Sequence, residues 1–330
     1  MTDFIVLTGF LGSGKTTLLV DFLRQPEAVD TAVIVNEAGE IDIDGAVIAA
    51  DAGDLPMAML ANGCVCCSIA NDLLYTIEAL VASREQAGLG PFRRIVLETS
   101  GLAQPGPIIR SLGELGPLGM RVSVIAACDA AAPVFDRDGF ETAAAQVAAA
   151  GVLVLTKLDR AGAAAIAGLD ARLGAVNPLA AHVIEPDRGR RALLAFTTEA
   201  AIGTINSPAI AFGHPRIAVM TARIEGAGID AILEWLENLS GLMGERLLRL
   251  KGVLQPADIP DRLLFQAVGS TFDAPRRFAG TAASGLVIIA RDVAMADISA
   301  MQPEFPVRLS KSRLQGGTRQ GLRAWPGIVV

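Results

Sequence analysis

The chain has 330 residues, 52% of them hydrophobic and 19% charged, with a formal net charge of -7. That apolar share excludes a disordered chain, and the length suits two domains. The acidic balance argues against nucleic-acid binding, which is driven by basic surfaces.

Phe4 to Leu7 is a short apolar run of the kind a buried parallel strand shows. Met1 to Leu7 has no basic n-region, so it does not read as a secretory signal. Gly9 to Thr16 follows, reading G-F-L-G-S-G-K-T. It fits G-x-x-x-x-G-K-[ST], the phosphate-binding loop. Thr17 to Leu23 continues with apolar positions at helical spacing. Thr31 to Asn36 is the second strand and leads into the acidic stretch Glu37 to Gly45. Gly53 to Asn62 reads as irregular or helical, then comes Gly63 to Cys67, G-C-V-C-C. Asn71 to Ser83 has the spacing of a helix, and Arg94 to Glu98 that of a strand ending in Thr99-Ser100-Gly101. Val122 to Ala127 and Val152 to Leu155 are further strands. Between them the apolar run Ala143 to Leu155 is interrupted by Gln146 and Gly151 and is too short to span a bilayer. Ala161 to Leu173 reads as a helix and His182 to Ile184 as a last strand. Strands alternating with helices imply a mostly parallel α/β sheet. Weak periodicity over Arg188 to Gly213 marks the boundary, giving domains over residues 1–205 and 214–330. Beyond it, Arg216 to Thr221, Leu263 to Val268 and Gly285 to Ile289 read as strands and Ile229 to Leu239 as a helix, a smaller α+β domain. A cytoplasmic location is expected, with the four cysteines held as thiols.

Four constellations carry chemistry. In the first, Gly9, Gly12 and Gly14 let the backbone N–H groups of the loop turn inward on phosphate oxygens. Ser13 and Thr17 belong to the same cradle. Lys15 is placed to reach the β- and γ-phosphates and Thr16 to ligate Mg²⁺. A glycine-rich turn with an incidental lysine is the alternative. Second, Glu98 ends an apolar strand, the position of an acid that supports Mg²⁺, and Gly101 follows as a γ-phosphate contact. Third, Thr156-Lys157-Leu158-Asp159 resembles the guanine-recognition motif N-K-x-D with Thr for Asn. A carboxylate at Asp159 accepts from guanine N1–H and its exocyclic amine, which adenine does not offer. Fourth, Cys64, Cys66 and Cys67 place three soft thiols where they can converge on Zn²⁺ or a similar ion. A redox pair and a buried cysteine turn are the alternatives. Glu37 and Glu40 are candidates either for an oxygen ligand of that metal or for a contact to the nucleotide's Mg²⁺. Cys128 reads as a core residue, and His182 and His214 as structural.

Together these motifs resemble the CobW-type GTP-dependent metal chaperones. The resemblance rests on G-F-L-G-S-G-K-T-T-L-L, N-E-A-G-E-I-D-I-D-G, G-C-V-C-C, E-T-S-G-L-A-Q-P and T-K-L-D in that order. It extends to Arg249-Leu250-Lys251-Gly252, Phe265 to Gly269 and Gly285 to Asp292. It implies a P-loop GTPase domain followed by a smaller C-terminal domain, GTP and Mg²⁺ as ligands, and Zn²⁺, Co²⁺ or Fe²⁺ held at the cysteines. It also implies a client metalloprotein or metal-cofactor synthesis enzyme, with homodimerisation left open and no membrane partner. Ala38 stands where the family has an aromatic residue and Gln104 where an acid is common; a histidine-rich linker is absent. With no evident arginine finger, slow intrinsic turnover is expected. A thiol metal buffer or redox protein, or a P-loop ATPase or kinase, are the competing readings.

Overall fold

The structure is a computed structural model; it describes residues 1–36, 57–59, 68–112, 120–132, 135, 139–198, 215–301 and 303–311. Strands β1 (Asp3–Thr8), β2 (Thr31–Asn36), β3 (Met57–Met59), β4 (Arg94–Thr99), β5 (Arg121–Asp129), β6 (Val152–Thr156) and β7 (Ala181–Val183) form the first sheet. Their order is β3-β2-β4-β1-β5-β6-β7, and all pairings are parallel. A parallel sheet must be covered on both faces, and the alternation along β1 shows it. Phe4 and Val6 enter one apolar cluster, Ile5 and Leu7 the other.

The first cluster is closed by α2 (Ser68–Gln86), α3 (Pro105–Ser111), α4 (Phe140–Ala149) and α5 (Ala163–Val176). They contribute Leu73, Ile77, Ile108, Val147 and Leu173. The second is closed by α1 (Lys15–Leu23) and α6 (Arg188–Thr197), which meet through the stacked rings of Phe22 and Phe196. β4 and β5 flank β1, so the loops leaving these three strands converge at the carboxyl end of the sheet's centre, where ligands of such sheets bind.

The second sheet is antiparallel. It consists of β8 (Ile217–Ile224), β9 (Leu247–Leu254), β10 (Leu263–Val268), β11 (Thr271–Phe272), β12 (Arg276–Arg277), β13 (Gly285–Arg291) and β14 (Val307–Lys311). The order is β11-β10-β9-β13-β8-β14, with β12 beside β10. Helix α7 (Ile229–Met243) covers one face with Trp235, Leu236 and Leu239. The other face meets α4, where Leu248, Val287 and Ile289 pack on Ala144 and Ala148. A short helix, α8 (Met295–Ser299), precedes β14.

Two expectations need correction. Within Gly53 to Asn62, expected to be irregular or helical, Met57–Met59 is an edge strand in register with Val33–Val35; three residues are too few for a period to show. Arg188–Thr197, assigned to a weakly periodic boundary, is a capped helix. The Asp187 carboxylate accepts from the Arg190 N–H at 2.7 Å, while Ala192, Ala195 and Phe196 face the sheet. Its three arginines mask that stripe in the sequence. The limits at residues 205 and 214 lie outside the described residues.

Candidate functional site

The phosphate-type loop joins β1 to α1 at the middle of the parallel sheet. Gly9, Gly12 and Gly14 have φ values of 141°, 70° and 88°, angles that glycine adopts without strain. Gly9 also has no room for a side chain, since a Cβ there would lie 2.4 Å from the Ala127 oxygen of β5. The Ser13 N–H closes the turn on the Phe10 carbonyl at 3.0 Å, and Ser13 is buried. Lys15 is buried too, and its Nζ donates to the Gly9 carbonyl at 2.9 Å. Helix α1 begins at this point, so its first N–H groups and positive dipole end face the loop. Thr17 is exposed at the same helix end.

β4 brings Glu98 alongside. The Thr16 hydroxyl donates to Glu98 Oε1 at 2.6 Å, although 82 residues separate them in sequence. Glu98 is 3% exposed. A hydroxyl and a buried carboxylate meeting beside a phosphate-type loop form an oxygen donor set suited to Mg²⁺. Gly101 sits three residues on, against the loop backbone: a Cβ there would lie 2.6 Å from Leu11 N.

β6 supplies the third part. The Thr156 hydroxyl donates to the Ser13 carbonyl at 2.6 Å and lies 3.2 Å from the Cys128 carbonyl. Thr156 is therefore committed to bracing the phosphate loop from behind. Lys157 adopts a left-handed conformation, φ 52°, and its Nζ pairs with Asp129 Oδ2 at 2.8 Å. Asp159 points outward with its side chain 80% exposed, 4.0 Å from the Arg160 guanidinium. Asp129 is a site residue the sequence reading missed; the rule that singled out Glu98, an acid ending an apolar strand of the parallel sheet, applies to it equally. Behind the site, Gln146 is buried in α4 with its amide on the Gly101 and Ala103 carbonyls, a contact the sequence does not show.

Glu37, Glu40, Cys64, Cys66 and Cys67 lie outside the described residues, as does His214. Glu37 follows directly on β2 and Cys67 directly precedes α2. Cys128 is 3% exposed in β5, and burial pushes its thiol up to about 12. His182 Nδ1 lies 2.5 Å from Asp170 Oδ1, a structural pairing between α5 and β7. Among the described residues no three His, Cys, Asp or Glu side chains gather to hold a metal, and no helix is long and apolar enough to cross a membrane.

A glycine-rich loop leading into a helix, with Thr16 and Glu98 converging beside it, defines a P-loop nucleotide-binding domain of the GTPase fold. Residues 3–184 match the family described as CobW/HypB/UreG, nucleotide-binding domain, and residues 226–301 match the cobalamin synthesis protein cobW C-terminal domain. The chain belongs to the CobW/HypB/UreG family. It is similar to the zinc chaperone YjiA of Escherichia coli, with 34% identity covering 82% of this chain and 86% of that protein. It is also similar to the zinc chaperone CobW of Pseudomonas aeruginosa, with 30% identity covering 81% and 80%. The crystal structure of Zn(II)-bound YjiA GTPase from E. coli superposes with a TM-score of 0.61 at 25% identity, covering 91% of this chain and 97% of that one.

Proposed function

We propose that this protein is a GTP-hydrolysing metal chaperone that carries Zn²⁺ as cargo to a client metalloprotein or cofactor-synthesis enzyme. The observation that carries the GTPase half is the 2.6 Å contact between Thr16 and Glu98 at the mouth of the glycine-rich loop. Thr16 and Glu98 would hold Mg²⁺, which neutralises charge on the β- and γ-oxygens. Lys15 and the N–H groups of Gly12 to Thr17 hold the phosphates, and Gly101 meets the γ-phosphate. The outward Asp159 carboxylate selects guanine, with the Lys157 stem along the base. Turnover is slow without metal or a partner.

The metal half is supported by the C-x-C-C spacing and by the zinc chaperones among the relatives. Cys64, Cys66 and Cys67 are the thiolate ligands proposed, with Glu37 or Glu40 as the oxygen donor; Co²⁺ and Fe²⁺ are the other cargoes such a site accepts. GTP and metal are coupled, because the acidic segment and the Gly101 loop both answer to the γ-phosphate. A coupling free energy of about 1–3 kcal/mol, roughly 5–150-fold in affinity, is the usual size.

Two measurements test this reading. Competition of GTP and ATP for a fluorescent guanine nucleotide tests the first half; equal binding, or unchanged selectivity in Asp159→Ala, refutes it. Zn²⁺ affinity measured with a chelating dye in the apo, GDP and non-hydrolysable GTP states tests the second. Tighter Zn²⁺ with the triphosphate is expected. Equal affinities in all three states refute the chaperone cycle and leave the GTPase standing.

A further inference from the structure

Helix α4 lies between the phosphate site and the second domain, and its two sides carry different contacts. Gln146 is 1% exposed. Its Nε2 donates to the Gly101 carbonyl at 3.1 Å and to the Ala103 carbonyl at 2.9 Å. Both amide protons are thereby used on the loop that follows Glu98. Its Oε1 is buried and, among the described residues, has no hydrogen-bond partner. A flipped amide would set oxygen against two carbonyls, so these two bonds fix its orientation.

An α-helix turns by about 100° per residue, so Ala144 and Ala148 each lie about 200° from Gln146, across the helix. They pack on Leu248 of β9 and on Val287 and Ile289 of β13. At the end of α4 the Ala149 carbonyl accepts from Arg249 Nη1 of β9 at 3.1 Å. At its start Glu141 pairs with Arg216 at 2.9 Å and Arg291 at 3.1 Å. Asn177 fastens the helix end, its Nδ2 shared among the Val147, Ala148 and Ala150 carbonyls at 2.7, 3.1 and 2.9 Å. A helix braced in this way moves as a unit.

We propose that Gln146 is a positioning residue that reports the nucleotide state of the Gly101–Ala103 loop to the antiparallel sheet of the second domain through α4. The inference rests on the GTPase reading above and adds the route by which GTP governs the surface offered by the second domain. Both bonds hold for one placement of the loop. When Gly101 shifts with the γ-phosphate, either a buried N–H or carbonyl is left unpaired or α4 follows. An unpaired buried group is the unfavourable alternative, so α4 follows and carries β9 and β13 with it. The contact of Arg110 in α3 with Ser270 at 2.8 Å is a second link between the domains, and it does not pass through Gln146.

The test is hydrogen exchange of the Leu247 to Leu254 amides in the full chain, with GDP·Mg²⁺ and with non-hydrolysable GTP·Mg²⁺. Wild type, Gln146→Met and Arg249→Met are compared, with affinities for both nucleotides measured alongside. In wild type the exchange protection should differ roughly fivefold or more between the two states, as a typical coupling predicts. Gln146→Met, of similar volume but with no donor, should lose the difference while still binding GDP. Arg249→Met breaks the far end of the route and should lose it too, which keeps the test decisive if Gln146→Met does not fold. A difference that persists in both variants, or one missing from a wild type that binds both nucleotides, overturns the relay and leaves the GTPase intact. A wild type that binds no GTP overturns the GTPase reading and the relay with it.

Discussion

Lys251 offers a direct test of the packing in the second domain. It lies in the middle of β9, between Gln266 of β10 and Val287 of β13, and is only 7% exposed. Burial first, then Arg249 and Arg276, lower its pKa from the ordinary 10.5 to about 8. The two values differ by about 2.5 pH units, which corresponds to about 3 kcal/mol. The sign follows from proton linkage. Between pH 8 and 10.5 the unfolded chain binds a proton that the folded chain has released, so stability rises with pH across that window. Below pH 8 both states hold the proton and the full cost of burying the ammonium remains. Lys251→Met removes that cost, so the variant should be more stable than wild type by up to about 3 kcal/mol at pH 7, with the gap closing towards pH 10.5. Urea unfolding at pH 7, 8.5 and 10 measures it. Fluorescence of Trp235, 3% exposed under the same sheet, is the signal, read in a Trp325→Phe background. A gap independent of pH, or a less stable variant at pH 7, would mean that the Lys251 ammonium is held by water or an anion, and the argument from burial would fall.

Four shorter predictions follow from the first domain. Phe196→Ala removes a ring 4.3 Å from that of Phe22 and should cost about 3–5 kcal/mol of unfolding free energy; a loss below about 1 kcal/mol would place α6 outside the core. Cys128, with its thiol near 12, should resist iodoacetamide at pH 8 in the native chain and react once denatured; equal rates in both states would contradict its burial. Gly101→Ala drives a Cβ to 2.6 Å from Leu11 N, an overpacking that costs about 1–3 kcal/mol. Its GTP turnover should fall, and a fully active variant would show that the loop does not rest on Leu11. Glu98→Gln keeps an acceptor for Thr16 but loses the charge, and GTP turnover should drop roughly 10²-fold while GDP still binds; wild-type turnover in this variant would remove Glu98 from the site.

The periodic and motif-bearing parts of the first domain were legible in the sequence. Strands buried on both faces must be continuously apolar, so β1, β2, β4 and β6 stood out as short runs, and the polar residues just beyond them marked the site. Two other elements were not legible. β3 is three residues long, and α6 hides its apolar stripe among arginines. Strand β9 was met only as part of a family resemblance, because Arg249 and Lys251 break its apolar pattern.

Composition and motif spacing alone determined that this is a P-loop protein with a site at the ends of parallel strands, since local backbone geometry dictates where glycine, lysine and threonine must stand. Only the tertiary structure decided what those residues touch. Thr156, placed in the guanine-recognition motif as Thr for Asn, spends its hydroxyl on the Ser13 and Cys128 carbonyls. Gln146, read as an interruption in an apolar run, grips the Gly101 loop from 45 residues away. Contacts between residues so far apart are set by strand order and by which helix face lies against which strand, and neither is written in the local pattern of side chains.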